Sequence, residues 1–165
     1  MQKNASLADA WLRKYPEQVV LVLTRHSDGR INLMAVGWIA IVSDDPGMFM
    51  IGIDDQAFTL ELIRQNKEFV IAYPAKDMAE VTRFVGTVHG HNIDKGRESG
   101  LVFAGADTVN VPILSDAVAN FECKLVAEYR PGNCPLIVGE ITACHVNSDP
   151  AVQRLVNAGA GYLLQ

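Results

Sequence analysis

The stretch Ile31-Asn32-Leu33-Met34-Ala35-Val36-Gly37-Trp38 decides how this chain is read. It runs on to Val42 and, after a turn and a second strand, ends in Asp54-Asp55-Gln56-Ala57-Phe58-Thr59. Nearly every residue from Ile31 to Val42 is apolar. A strand with one wet face alternates, so an unbroken run predicts burial on both faces, as in a barrel wall whose outside is covered. Asn32 and Trp38 interrupt it. An amide in an apolar strand demands hydrogen-bond partners and marks a local polar site, and the indole N–H of Trp38 needs a partner whether the ring fills a core or walls a cavity. The Asp54 to Phe58 loop delivers Thr59 to a helix start, where free N–H groups and a hydroxyl suit a phosphate. A Thr acting as plain N-cap is compatible with that role.

Outward from this stretch the elements read as hairpins. Upstream, Val19 to Thr24 is a β-branched strand, and Ser27-Asp28-Gly29-Arg30 carries the Asp-Gly signal of a tight turn, so it pairs antiparallel with the Ile31 to Val42 strand. A short amphipathic helix from Ser6 to Lys14 precedes it, limited by Pro16. Downstream, Asp44-Asp45-Pro46-Gly47 turns the chain into Met48 to Ile53, the third strand of a meander. A two-turn helix from Phe58 to Gln65 follows, then a strand from Glu68 to Tyr73. Asp77 with Glu80 reads as an N-cap and its capping box, opening a helix through Val88. Asp94 caps a single turn holding Lys95 and Arg97, which Gly100 stops.

Two short extended pieces are expected around Val109 to Val111. Ala119 to Tyr129 alternates, with Phe121, Cys123, Leu125 and Ala127 on one face and Glu122, Lys124 and Glu128 on a wet one. Pro135 to Val146 returns as a hairpin arm, and Asp149-Pro150 opens a helix to Asn157 before the tail Tyr162 to Gln165. Seven or so strands in hairpins with short helices between them make a mainly β, antiparallel barrel with helical covers.

At 165 residues the chain fits one domain, 1–165, which buries roughly 70% of its unfolded surface and needs no disulfides or structural metal. Lys and Arg total 14 against 19 Asp and Glu, a net charge of -5 with no basic block, so nucleic acid is not an expected partner. No apolar run approaches the ~20 residues of a membrane span, and a cytoplasmic location is expected. Cys123, Cys134 and Cys144 form neither an even set nor a C-x-x-C pair and read as ordinary reduced residues. No dinucleotide-binding, P-loop, zincin or nucleophile-elbow motif is present. His89 and His91 lack a carboxylate or thiol to complete a metal site, and none is expected.

The pattern Asn-Leu-Met-Ala-x-Gly-Trp, the Thr59-x-x-Leu-Ile helix, Phe69-Val-Ile-Ala-Tyr-Pro, Gly90 leading to Asp94-Lys95, and Asn120-Phe-Glu-Cys-Lys together resemble the flavin reductase-like, flavoredoxin-type family over residues 15 to 147. The resemblance implies a split β-barrel that binds FMN noncovalently and works as a homodimer. It also implies an oxidoreductase taking electrons from NADH or NADPH and passing them to flavin, a quinone-like acceptor or a redox-protein partner. A flavin-bound, non-enzymatic electron carrier is the alternative. Carried over by position, Asn32, Trp38, Thr59 and Lys95 match residues lining the flavin site, and His145 matches a His at the equivalent strand end. Two departures stand out: Ala72 where many members have Asn, and Gly96 in place of an aromatic, which is expected to loosen the wall beside Lys95.

Chemistry adds to these assignments. FMN needs donors for its phosphate, an apolar slot for three fused rings, and a positive charge or donor near the ring edge that turns anionic on reduction. Thr59 with the backbone at Ala57 and Phe58 suits the first need. Leu33, Met34, Ala35 and Val36 offer backbone groups and small side chains to the ring, although the same residues also suit a barrel core. Lys95, otherwise an ordinary surface lysine, is expected to stabilise reduced flavin; at ~4 Å and an effective dielectric constant of ~20 the attraction is about 4 kcal/mol before desolvation losses.

Overall fold

The apolar run from Ile31 to Val42 is two strands, broken at Gly37-Trp38, and that break closes the barrel. The computed structural model describes residues 1–165. In chain order it contains helix α1 (Leu7–Trp11), strands β1 (Glu17–Gln18), β2 (Val20–Arg25), β3 (Ile31–Val36), β4 (Ile39–Asp44) and β5 (Gly47–Gly52), helix α2 (Phe58–Asn66) and strand β6 (Glu68–Tyr73). A 3-10 turn over Lys76–Met78 leads into helices α3 (Ala79–Thr87) and α4 (Lys95–Glu98), followed by strands β7 (Phe103–Ala104), β8 (Ile113–Leu114), β9 (Ala119–Tyr129), β10 (Leu136–Val146) and β11 (Val156–Asn157). Seven strands form one antiparallel sheet in the order β3-β2-β6-β9-β10-β5-β4. β3 and β4 are consecutive in sequence yet sit at opposite ends of that order. The sheet therefore rolls up, and residues 37 and 38 cross the seam, which the Gln18 side chain ties by donating to the Ile39 carbonyl at 2.6 Å.

Burial on two faces explains why β2 and β6 do not alternate. Val20, Val22, Phe69 and Ile71 point into the barrel with Phe49, Ile51, Cys123 and Ile137. Leu21, Leu23, Val70 and Ala72 point outward into a second core with Leu33, Val85, Val111 and Leu114. Each large side chain of this kind contributes about 1.5–3 kcal/mol when fully buried. Gly139 lets the barrel close around Phe69: a Cβ there would stand 2.5 Å from the Phe69 ring. Ala72, which stands where many members of the resembled family carry Asn, is fully buried in the outer core.

The helix expected from Asp149 to Asn157 does not form. Asp149 caps only a turn, accepting from the Ala151 N–H at 2.9 Å. Beyond it the chain runs extended against residues 74–76, with Lys76 N–H donating to Gln153 O and Leu155 N–H to Pro74 O, and it ends as β11 paired with β1. Those sheet-like partners satisfy the backbone and win over the capping signal. Asp77 is likewise no N-cap: it lies within the 3-10 turn, and α3 starts at Ala79 without a side-chain cap. The extended pieces expected around Val109 to Val111 lie to either side, as β7 and β8. Asp94 does cap α4, accepting from Arg97 N–H at 3.2 Å, and Gly100 follows with φ +66°.

Glu122 corrects the wet face assigned to β9, since it is fully buried. Segment 101–118 folds over this part of the sheet, and the carboxylate holds it there. One oxygen accepts from Asp107 N–H (2.7 Å) and His145 Nε2 (2.6 Å), and the other from Thr108 N–H and Thr108 Oγ1 (both 2.6 Å). Asn120 does the same for β8, exchanging two hydrogen bonds with the Leu114 backbone. Burial pushes the Glu122 carboxyl up, but the donors from Asp107, Thr108 and His145 outweigh it and hold the group at about 2, below its ordinary 4.5. A carboxyl with a depressed folded pKa stabilises only while ionised, so its contribution is present above about pH 4.5 and is lost as the pH falls through about 2. Glu122→Gln should cost roughly 2–4 kcal/mol near neutral pH, read from the urea midpoint, and should flatten the dependence of stability on pH in the acid range. A Glu122→Gln variant as stable as wild type at pH 7 would remove this tether.

Candidate functional site

Beside β3 lies a cavity of about 390 Å³, enclosed by that strand, the Asp54 to Thr59 segment, the end of α3 and the His89-Gly90 turn. Ala57 is the N-cap of α2 in extended conformation and has no side chain to cap the helix. The first N–H groups of this nine-residue helix therefore open at the cavity's polar end, where the helix dipole favours an anion. Thr59, expected as the cap, lies one residue inside the helix and is buried, with its hydroxyl accepting from Asn32 Nδ2 at 2.9 Å.

Asn32 is the key polar group. Its amide nitrogen also donates to Thr24 Oγ1 at 3.2 Å, while its Oδ1 is buried with no hydrogen-bond partner. Two hydroxyls can donate or accept, so the amide can turn over and present its nitrogen in place of its oxygen. Either way, one end of a buried amide beside the cavity needs a partner that the chain does not supply. The wall there is shaped by glycine: a Cβ on Gly90 would fall on Asn32 Oδ1 and 2.8 Å from the Phe58 ring, and one on Gly86 would press Ala35 at 3.1 Å. Phe58 is held between His91, whose ring centre lies 4.2 Å away, and His26 at 5.8 Å.

The carboxylates of the loop are kept occupied. Asp54 accepts from the Gln56 N–H at 2.8 Å. Asp55 is paired with Arg130 at 2.5 and 2.7 Å, which holds its carboxyl below the usual range. Arg64 in turn grips Glu128 at 2.5 and 3.0 Å, so the loop is fastened to the end of β9. Exposed pairs of this kind add little stability, but they fix the loop's course and offset its charge.

Lys95 borders the same cavity and is buried. Its ammonium donates to Leu33 O at 2.9 Å and Val85 O at 2.7 Å, lacing β3 to α3. An ammonium has three protons, so one remains for a ligand. Burial draws its pKa down to about 8. Gly96 does not loosen this wall, contrary to expectation: a Cβ there would stand 2.9 Å from both the Ile31 carbonyl oxygen and the Ile31 Cβ, so α4 packs directly on β3 and seats Lys95 close.

A second chamber of about 420 Å³ continues along β3, sharing Met34, Ala35 and Tyr162 with the first. Val36, Gly37 and Trp38 border it, together with Trp11, Tyr15 and Gln18. The structure thus gathers Asn32, Met34, Ala35, Ala57, Phe58, Thr59 and Lys95 at the first cavity and Val36 and Trp38 at the second. Leu33 and His145 border neither. Leu33 turns its side chain into the outer core and gives its carbonyl to Lys95. His145 stands on Glu122, with Asp107 3.9 Å away, in the tether described above. Sequence reasoning missed Gly86, Gly90 and His89 as wall residues. Only the Gly90-x-x-x-Asp-Lys spacing hinted at the second, because a wall made by glycines has no side-chain signature.

The family model described as flavin reductase like domain matches residues 12–163. An uncharacterised protein of Pyrococcus abyssi is 33% identical over 129 residues, covering 78% of this chain and 73% of that protein. A Streptomyces pristinaespiralis protein named NADH:riboflavin 5'-phosphate oxidoreductase is 30% identical over 124 residues, covering 75% of this chain and 66% of that protein. Among solved structures, flavoredoxin from Methanosarcina acetivorans superposes with a TM-score of 0.88 at 23% identity, covering all of this chain and 91% of that one, so the two share a fold. With nearly its whole length matched by that model, and a mainly β split barrel to carry the site, the chain belongs to the flavin reductase like domain family.

Proposed function

We propose that this chain acts as one FMN-binding domain in a cytoplasmic homodimer, an oxidoreductase that accepts electrons from NADH or NADPH and passes them to flavin or another acceptor. The observation that carries the reading is the pairing of the partnerless Asn32 Oδ1 with the uncapped start of α2 in one glycine-walled cavity. These are hydrogen-bonding groups for a polar chain ending in an anion, and the apolar strip Met34 to Val36 leads from them toward a space for flat rings. FMN has this layout, and bound there it would supply the redox centre. Phosphate would sit at Phe58 and Thr59, the ribityl hydroxyls at Asn32, and Lys95 would add a positive charge. The name of the Streptomyces relative supports both FMN and NADH.

An electron carrier is the second reading, favoured by the openness of the second chamber, where Trp38 and Tyr162 are 53% and 52% exposed. Rapid bleaching of the bound flavin by NADH or NADPH supports the enzyme; bleaching by a redox protein alone supports the carrier. The dimer draws on a different face. An open apolar hollow of about 270 Å³, between Ile41, Phe49, Tyr73, Phe121 and Ile141, adjoins exposed Ile41 and Val42 and suits a second copy. Ile41→Glu is then expected to shift the mass measured by light scattering from dimer to monomer; a monomeric wild type would end that part of the proposal.

Four outcomes test the site. Titration with FMN should quench flavin fluorescence at one equivalent per chain, and a chain that binds none would sink the reading. Gly90→Ala should weaken FMN binding tenfold or more, because its methyl group occupies the place of Asn32 Oδ1. Lys95→Met should lower the flavin potential by tens of millivolts, since ~59 mV per electron corresponds to tenfold in equilibrium. The charge on Lys95 is lost as the pH rises through about 8 in the free protein, so FMN affinity should fall across that range in wild type and stay flat in Lys95→Met. Equal pH profiles would remove Lys95 from the flavin's environment.

A further inference from the structure

Tyr162 is held where a tyrosine is costly. Its φ is +60°, directly after Gly161 at +76°, and left-handed backbone is unfavourable for a bulky L residue. The conformation is not that of a loose tail. Val156 and Gln165 exchange backbone hydrogen bonds at 3.0 Å, Ala158 N–H donates to Leu163 O at 2.8 Å, and Leu164 is buried with Val19 and Leu155. From α3, the Arg83 guanidinium donates to the Tyr162 carbonyl at 3.2 Å. A hairpin anchored at its base and clamped at its tip therefore holds a half-exposed aromatic residue in a strained conformation. Strain of this kind persists only where the surroundings over-determine it, and it concentrates at sites of ligand contact.

The place it reaches gives the strain a use. Tyr162 borders both large chambers at once and stands where they meet along Met34 and Ala35. The second chamber is rich in aromatic residues, with Trp11, Tyr15 and Trp38 besides Tyr162. Its charged side chains are spent on each other: Lys14 pairs with Glu17, whose other oxygen accepts from Asn157 Nδ2 at 3.1 Å. Such a space attracts a ligand by stacking on flat faces rather than by charge.

We propose that Tyr162 is a specificity-determining residue: its ring forms the divide between the flavin cradle and the second chamber, covers the edge of the bound flavin, and admits flat, conjugated ring systems as second reactants in preference to bulky ones. This rests on the reading of the first cavity as a flavin site. The flat aromatic ring, not its hydroxyl, is the active part, and the hairpin with Arg83 positions it.

The test separates ring from backbone. Asparagine tolerates left-handed φ better than tyrosine, so Tyr162→Asn should keep or raise the melting temperature while weakening FMN binding about tenfold. It should also raise KM for a flat acceptor such as a benzoquinone, with less change for a branched, non-planar one. Tyr162→Phe should behave as wild type in each measurement. Arg83→Met, which frees the carbonyl, should reproduce part of the loss of affinity without touching the ring. If wild type binds FMN and Tyr162→Asn matches its dissociation constant and its acceptor selectivity, the inference alone is overturned. If wild type binds no FMN, the flavin reading falls and the inference with it.

Discussion

The buried ammonium of Lys95 is the joint on which the site depends. It bridges the Leu33 carbonyl of β3 to the Val85 carbonyl near the end of α3, two elements that otherwise meet through apolar contact. The carbonyls of a helix's last turn lack intrahelical partners, and β3 is an edge of the rolled sheet, so both acceptors are of the kind that must find a donor. A charged donor is stronger than a neutral one but costs desolvation, which is visible in the lowered pKa. The cost falls on the residue beside the cavity. An ammonium short of one hydrogen bond and drawn toward neutrality gains most from an anion or acceptor brought within reach, so the joint that shapes the cavity also predisposes it to such a ligand.

Glycine completes what Lys95 begins. Gly96 lets α4 lie directly on Ile31, Gly86 lets α3 approach Ala35, and Gly90 lets the following turn close over Asn32. Each approach brings backbone and short side chains to the wall, leaving room inside for a large ligand. The same logic explains why the wall beside Lys95 is tight although the aromatic residue of the resembled family is missing: contact with the Ile31 backbone takes its place.

Legibility in the sequence follows the range of the interaction. The hairpins of β2, β3 and β5, the strand Glu68 to Tyr73 and the alternating strand Ala119 to Tyr129 are readable because turn chemistry and side-chain period are local. The break at Gly37-Trp38 is not, since it is imposed by closure of the sheet rather than by any breaker stronger than one glycine. Alternation places Glu122 in water because it tells the two faces of a strand apart without telling what covers them. Segment 101–118, with little regular structure of its own, covers that face, and its backbone N–H groups make a buried carboxylate tolerable. The Asp149 capping signal fails for a similar reason, since its competing partners at residues 74–76 are distant in sequence. At the site, Asn32 and Thr59 are legible as polar residues in apolar company. Leu33 is not, because a strand residue adjoining a cavity can turn its side chain away and lend only its carbonyl.

Charge distribution joins these strands of argument. The chain is acidic overall, with 19 carboxylate residues against 14 basic ones, yet the cavity's polar end is not repulsive to an anion. Asp55 is matched by Arg130; Asp54, which borders the cavity, accepts from the Gln56 N–H with one carboxylate oxygen; and the positive end of α2 faces inward with Lys95 nearby. A field of this kind comes from placement rather than composition, so an acidic net charge is compatible with binding a single phosphate group, which needs no continuous basic track. Fixed dipoles and one partly desolvated ammonium are enough for such a group, because charges held against low-dielectric protein are screened less than those on an open surface.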